Sequence, residues 1–202
     1  WTRRSFLAQA AGAASAAPLS KLAMPGPYRG RVVAVEHSGS IDGGRYQAEP
    51  VRAMMRRGMS ELTDDGWVEA WRQFVSPGDV VGIKVNPVGA PHVISAPEVL
   101  TEIIAGLEAA GIKRQDIAVY DRYRHEFYKA GFDRWLPEGV RVSNAARQYD
   151  EVQMAIEGYD PDHYMEMALT LPGYDISSVT ARRSYLAKFI TKEVNKLVNL
   201  CV

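Results

Sequence analysis

Lys84 interrupts the apolar alternation of Val81, Ile83 and Val85 in a strand read over Val80–Asn86. Burying an unpaired ammonium is costly. Lys84 therefore needs a carboxylate, an anionic ligand, or a path to solvent along its own aliphatic stem. Asp121, at the end of the next strand, is the natural carboxylate; it serves equally well as an Asx-turn or as a cap for the helix that follows. Ligands of open α/β sheets bind beyond the carboxyl ends of the strands, and three such ends are visible. The first offers His37, Ser38 and Asp42 on a glycine-containing loop. The second offers Lys84 and Asn86, with His92 beyond two prolines. The third offers Asp121, Arg122, Arg124 and His125. Parallel strands would bring all three loops to one edge, where they suit a small anionic ligand. His37, His92 and His125 with Asp121 would suit a metal if the fold gathered them.

Local motifs do not narrow the chemistry. The four histidines, His37, His92, His125 and His163, show no H-E-x-x-H or other metal-ligand spacing. Gly39…Gly43-Gly44 is not a dinucleotide fingerprint. Pro87–Pro91 stands where a glycine-rich phosphate loop would follow the second strand, and neither a Walker A motif nor a G-x-S-x-G elbow is present. Cys201 is the one cysteine of the 202 residues. That excludes an intrachain disulfide and any metal or iron–sulfur site built from this chain's cysteines alone; such a cofactor would need residues beyond it.

The elements that must position these groups read as alternating strands and helices. Val32–Val35 is a short apolar run consistent with a buried strand. Helices follow around Pro50–Leu62 and Gly66–Phe74, the second with Trp67, Val68, Trp71 and Phe74 on one apolar face. Ser76-Pro77-Gly78-Asp79 is a turn. Ser95 with Glu98 reads as a capping box opening a helix whose stripe is Val99, Leu100, Ile103, Ile104 and Leu107, and Gly111 closes it in the left-handed conformation. With the strand Ile117–Asp121 this makes a β-α-β unit of parallel-crossover size. A short helix near Glu126–Gly131, a strand near Val140–Val142, a short helix near Thr191–Lys196 and a last strand continue the alternation. The expected fold is an open, mostly parallel α/β sheet with helices on both faces, in one domain over 25–202. An irregular lobe is expected at about 144–185.

The ends carry a different signal. Thr2-Arg3-Arg4-Ser5-Phe6-Leu7 precedes a run rich in Ala and Gly, and Arg3, Arg4, Phe6 and Leu7 resemble a bacterial twin-arginine export signal over residues 1–24. An amphipathic helix or membrane anchor is the alternative; Gln9, Ser15 and Pro18 interrupt the run, so no stable transmembrane span is expected. The signal implies the twin-arginine translocase as a partner and a periplasmic or otherwise exported location. Removing it takes away Arg3, Arg4 and Lys21 and no acid, leaving 21 bases against 24 acids, a net charge of −3. That balance argues against nucleic-acid or anionic-membrane binding. Trp1 stands where Met is expected and the chain stops on an apolar strand, so a fragment of a longer protein is expected, with the fold incomplete at the C-terminus.

Several of these segments together resemble one family. Pro77-Gly78-Asp79-Val80-Val81-Gly82-Ile83-Lys84-Val85-Asn86, the helix opening Ser95-Ala96-Pro97-Glu98, the passage from Ala109-Ala110-Gly111 to Val119-Tyr120-Asp121-Arg122, and Ile190–Asn199 are similar, in order, to the domain of unknown function 362 family. The resemblance implies that Lys84, Asn86 and Asp121 lie on shared motifs and that further family segments follow the last strand. It supplies no reaction. The expectation is an exported protein binding a small anionic ligand or metal cofactor at the strand ends, with a redox-linked enzyme among its forms. The alternative is a non-enzymatic periplasmic binding protein, or an accessory protein that meets a protein partner through the aromatic segment Tyr149–Tyr185.

Overall fold

The computed structural model of the protein describes residues 27–147, 158–166, 177 and 182–202. Arg3, Arg4, Phe6 and Leu7 of the signal segment lie outside the described residues, as does most of the expected lobe.

The apolar run Val32–Val35 is not a strand. It is irregular chain with no ladder partner, and Val32 is 88% exposed. The Arg31 guanidinium explains its course: it donates to the Glu61 carbonyl at 2.8 Å and pairs with Asp64 at 3.2 Å. The segment is thereby tied to the end of a helix rather than to the sheet. Four apolar residues make a strand only where a neighbour completes their hydrogen bonds. The loop expected over His37–Gly44 contains part of a tight hairpin, β1 (Ile41–Asp42) and β2 (Arg45–Tyr46). Its two central residues, Gly43 and Gly44, have φ of +55° and +74°, as a primed two-residue turn requires.

Two helices follow, α1 (Ala48–Thr63) and α2 (Trp67–Arg72). The Pro77-Gly78 turn is locked by Asp79, whose Oδ2 accepts the Ser76 N–H at 2.9 Å. It delivers the chain to β3 (Val81–Lys84). Next come α3 (Pro97–Ala110), closed by Gly111 at φ +105°, then β4 (Ile117–Tyr123), α4 (Arg124–Ala130) and β5 (Arg141–Ala146).

The region expected to be an irregular lobe contributes Asn144–Ala146 to β5. It also contributes an antiparallel ribbon of β6 (Tyr159–Glu166) and β7 (Arg183–Ala187). Pro161 lacks a ladder donor and lies where the register slips between Tyr159 and Tyr164, which hid the strand from pattern reading. A π-helical turn, Phe189–Glu193, and β8 (Lys196–Asn199) are the last elements among the described residues.

The main sheet has the order β5-β4-β3-β8, and every pairing is parallel. The α/β architecture is therefore as the alternation predicts. The chain steps outward from β3 to β4 to β5 with α3 and α4 on one face. There Leu100, Ile103, Ile104, Leu107 and Phe127 pack on Val81, Ile83, Val85, Ile117 and Val119. It returns beneath the other face, where the π-helical turn and the ribbon cover Ala118 and Tyr120, and then places β8 on the far side of β3. Phe189 stacks on Tyr120 with centroids 4.3 Å apart and planes 8° from parallel. A Cβ at position 82 would collide with the Phe189 ring, so glycine at the centre of β3 is a packing requirement. Among the described residues no helix is long and apolar enough to cross a membrane.

Candidate functional site

Alternation puts Lys84 on the Gly82 side of β3, opposite Tyr120 in the ladder. Its long stem curls over the carboxyl end of the strand. Nζ lies 2.8 Å from Asp121 Oδ1 and also donates to the Val85 carbonyl. Lys84 keeps 32% of its side chain exposed, while Asp121 keeps 4%. The ammonium thus has its carboxylate and a partial path to solvent. Asp121 also makes the Asx-type bond, its Oδ2 accepting the Tyr123 N–H at 3.1 Å. Its backbone carbonyl accepts from Asn144 Nδ2 at 3.1 Å, which couples β4 to the neighbouring strand end.

The other predicted residues divide. Asn86 shapes its loop: its N–H donates to Ser95 Oγ at 2.8 Å, its carbonyl accepts from Ser95 N at 3.0 Å, and its Oδ1 accepts from Val88 N at 3.3 Å. Ser95 is accordingly not the helix cap. Ala96 holds the cap position, and the Ser95 hydroxyl donates to the Leu200 carbonyl at 2.7 Å. Full burial next to two backbone groups diverts it from the helix. His37 accepts the Gly39 N–H at 3.0 Å within its own loop, and no strand leads into that loop. Asp42 sits exposed in the β1–β2 hairpin. His92 and His125 are exposed, His125 beside Tyr123 with ring centroids 6.1 Å apart. His37, His92, His125 and Asp121 do not assemble. Among the described residues no group of three or more His, Cys, Asp or Glu is placed to hold a metal. Without a strand before His37, the first of the three expected loops does not issue from a sheet end at all.

What the fold does assemble is cationic. A cavity of about 780 Å³ opens at the carboxyl end of β5. Asn144 and Arg147 come from that strand end and Arg124 from the first turn of α4. Lys188 and Glu193 flank and end the π-helical turn, and Tyr128 closes a side. Arg124 lies over the Tyr128 ring, 5.4 Å from its centroid, which holds the guanidinium in place. Among the described residues no carboxylate is within ion-pair distance of Arg124, Arg147 or Lys188. Asn144 joins this cavity to the Lys84–Asp121 pair through its bond to the Asp121 carbonyl. A second cavity of about 370 Å³ adjoins α1 and the start of α3, but its cation, Arg52, is already paired with buried Glu102 at 2.9 Å.

Beside the π-helical turn, on β6, lies the fully buried Asp160. Its Oδ2 accepts from Thr191 Oγ1 at 2.7 Å and faces His163 Nδ1 at 3.1 Å and Lys192 Nζ at 3.6 Å; its Oδ1 accepts the Asp162 N–H at 3.1 Å. Burial alone would raise its pKa. The Thr191 and Asp162 hydrogen bonds, the Lys192 charge and the His163 contact outweigh that and hold it down at about 2. Asp160 therefore stays ionised and pins the turn whose two ends carry Lys188 and Glu193.

Of the charged cavity residues, Arg124 stands among the strand-end groups named from sequence; Arg147, Lys188 and Glu193 do not, nor does Asp160 beside the cavity. A usable signal existed for Arg147. A strand that runs on from Val140–Val142 to Ala146 makes Arg147 its carboxyl-end residue, by the same strand-end rule that names Arg124.

Comparison with family models finds no match for this chain. Comparisons with curated proteins and with solved structures find none either.

Proposed function

We propose that this chain is an exported α/β protein that binds a small anionic ligand at the carboxyl edge of its sheet. One observation carries the binding reading: Arg124, Arg147 and Lys188 line one cavity with no carboxylate partner among the described residues. Three cations held together repel one another, and an anion relieves that repulsion while gaining charge-assisted hydrogen bonds. The site lies where open α/β sheets bind ligands. An anion is favoured over a metal because the described residues offer no ligand set for one. The reading is of binding, with no bond-making step assigned.

Export rests on the twin-arginine pattern of Arg3, Arg4, Phe6 and Leu7. A precursor carrying Arg3→Lys and Arg4→Lys should remain in the cytoplasm, and normal export would refute that part of the proposal. For binding, orthophosphate titrated into the full chain should shift the backbone amide resonances of residues 144–147 and 188. Shifts confined to other regions would place the anion elsewhere.

A further inference from the structure

Resting on the anion-binding reading, we infer that the ligand is a phosphate monoester of a polyhydroxy compound, the chemistry shared by free sugar phosphates and by the ribose-phosphate part of nucleotides. Three observations lead there. First, about 780 Å³ in an open cleft is room for an organic ligand; an inorganic anion would leave most of it to water. Second, among the described lining residues the formal charges of Arg124, Arg147 and Lys188 against Glu193 leave an excess of two positive charges. A phosphate monoester carries about −1.5 to −2 at neutral pH and matches that excess; a single carboxylate does not.

Third, Glu193 faces the same cavity. An ionised carboxylate only accepts hydrogen bonds, so it repels the phosphate and asks the rest of the ligand for donors. Hydroxyls supply them at no charge. An ammonium would satisfy Glu193 but would add a positive charge to a cavity already in cationic excess. Asn144 and Tyr128 offer both donor and acceptor groups to further hydroxyls.

The test is calorimetric titration of the full chain at fixed low salt with ribose 5-phosphate, orthophosphate, ribose and adenosine 5′-monophosphate. Ribose 5-phosphate should bind at least about tenfold more tightly than orthophosphate, and ribose should give no saturable heat. Glu193 is exposed, so Glu193→Gln leaves the fold intact. In that variant orthophosphate should bind more tightly, by about threefold, while the preference for ribose 5-phosphate collapses. Equal binding of the two phosphates by the wild type would overturn this inference and leave the anion site standing. If neither binds, the anion-binding reading falls as well. Adenosine monophosphate tighter than ribose 5-phosphate identifies the nucleotide as the source; the reverse order identifies the free sugar phosphate.

Discussion

The Lys84 ammonium lies 2.8 Å from Asp121 Oδ1, across the carboxyl ends of two adjacent parallel strands, with the carboxylate buried and the ammonium partly in water. Removing the cation strands a buried charge. Removing the carboxylate frees a lysine that can turn to solvent. Lys84→Met should therefore cost about 2–4 kcal/mol, towards the lower end of what breaking a fully buried pair costs. Asp121→Asn should cost less, because Asn can still accept the Tyr123 N–H. The double variant should be less destabilised than the sum of the two, and urea denaturation of all four proteins measures this. Strict additivity would show that the pair is not energetically coupled.

Ser95 offers a sharper contrast. Its hydroxyl bridges Asn86 N and the Leu200 carbonyl in a fully buried position. Ser95→Ala should cost about 1–3 kcal/mol by leaving both backbone groups unpaired. Ser95→Asp separates this role from capping. Aspartate is an excellent helix cap, yet here it would bury a carboxylate against the Leu200 carbonyl. Ser95→Asp should thus be worse than Ser95→Ala in denaturant melts; a better-tolerated Asp would restore the capping reading.

Acid should loosen the Asp160 network. Its folded-state pKa, about 2, lies below the ordinary aspartate value, so its stabilisation is present above pH 4 and is lost as pH falls from about 4 towards 2. Asp160→Asn removes that titration. The difference in denaturation midpoint between wild type and Asp160→Asn should shrink as pH falls below 4. A difference that stays constant down to pH 2 would contradict the assignment.

Gly106 reverses a usual rule. Replacing a mid-helix glycine with alanine normally stabilises a helix by about 1 kcal/mol. In α3 the added methyl would collide with the buried Trp71 indole, across the contact of α2 with α3. Gly106→Ala should destabilise by about 1–3 kcal/mol and shift Trp71 fluorescence to the red as the indole is pushed towards water. Unchanged emission with raised stability would contradict the packing described.

The legible parts of this chain are those whose signals are local. The alternation of Val81, Ile83 and Val85, the stripe of α3 and the stop at Gly111 each state a periodicity within a few residues, and together they specify a β-α-β unit. Lys84 stood out because a charge broke such a pattern. Val32–Val35 misled because a short apolar run reads the same with or without a ladder partner. Ser95 misled because its partner Leu200 is 105 residues away. The same distance problem concealed the cavity: Arg124, Arg147 and Lys188 are ordinary surface cations until two strand ends and a π-helical turn bring them together. Asp160 was hidden in the same way, since Thr191 lies 31 residues beyond it.

The measurement that bears most directly on anion binding is a calorimetric titration of orthophosphate. It would be run at several salt concentrations with the wild type and with the Arg147→Gln, Lys188→Gln double variant. One saturable site is expected in the wild type, weakening as salt rises, with at least about tenfold weaker binding in the variant. Equal affinity in the two proteins, or no saturable site in the wild type, would contradict anion binding at this cavity.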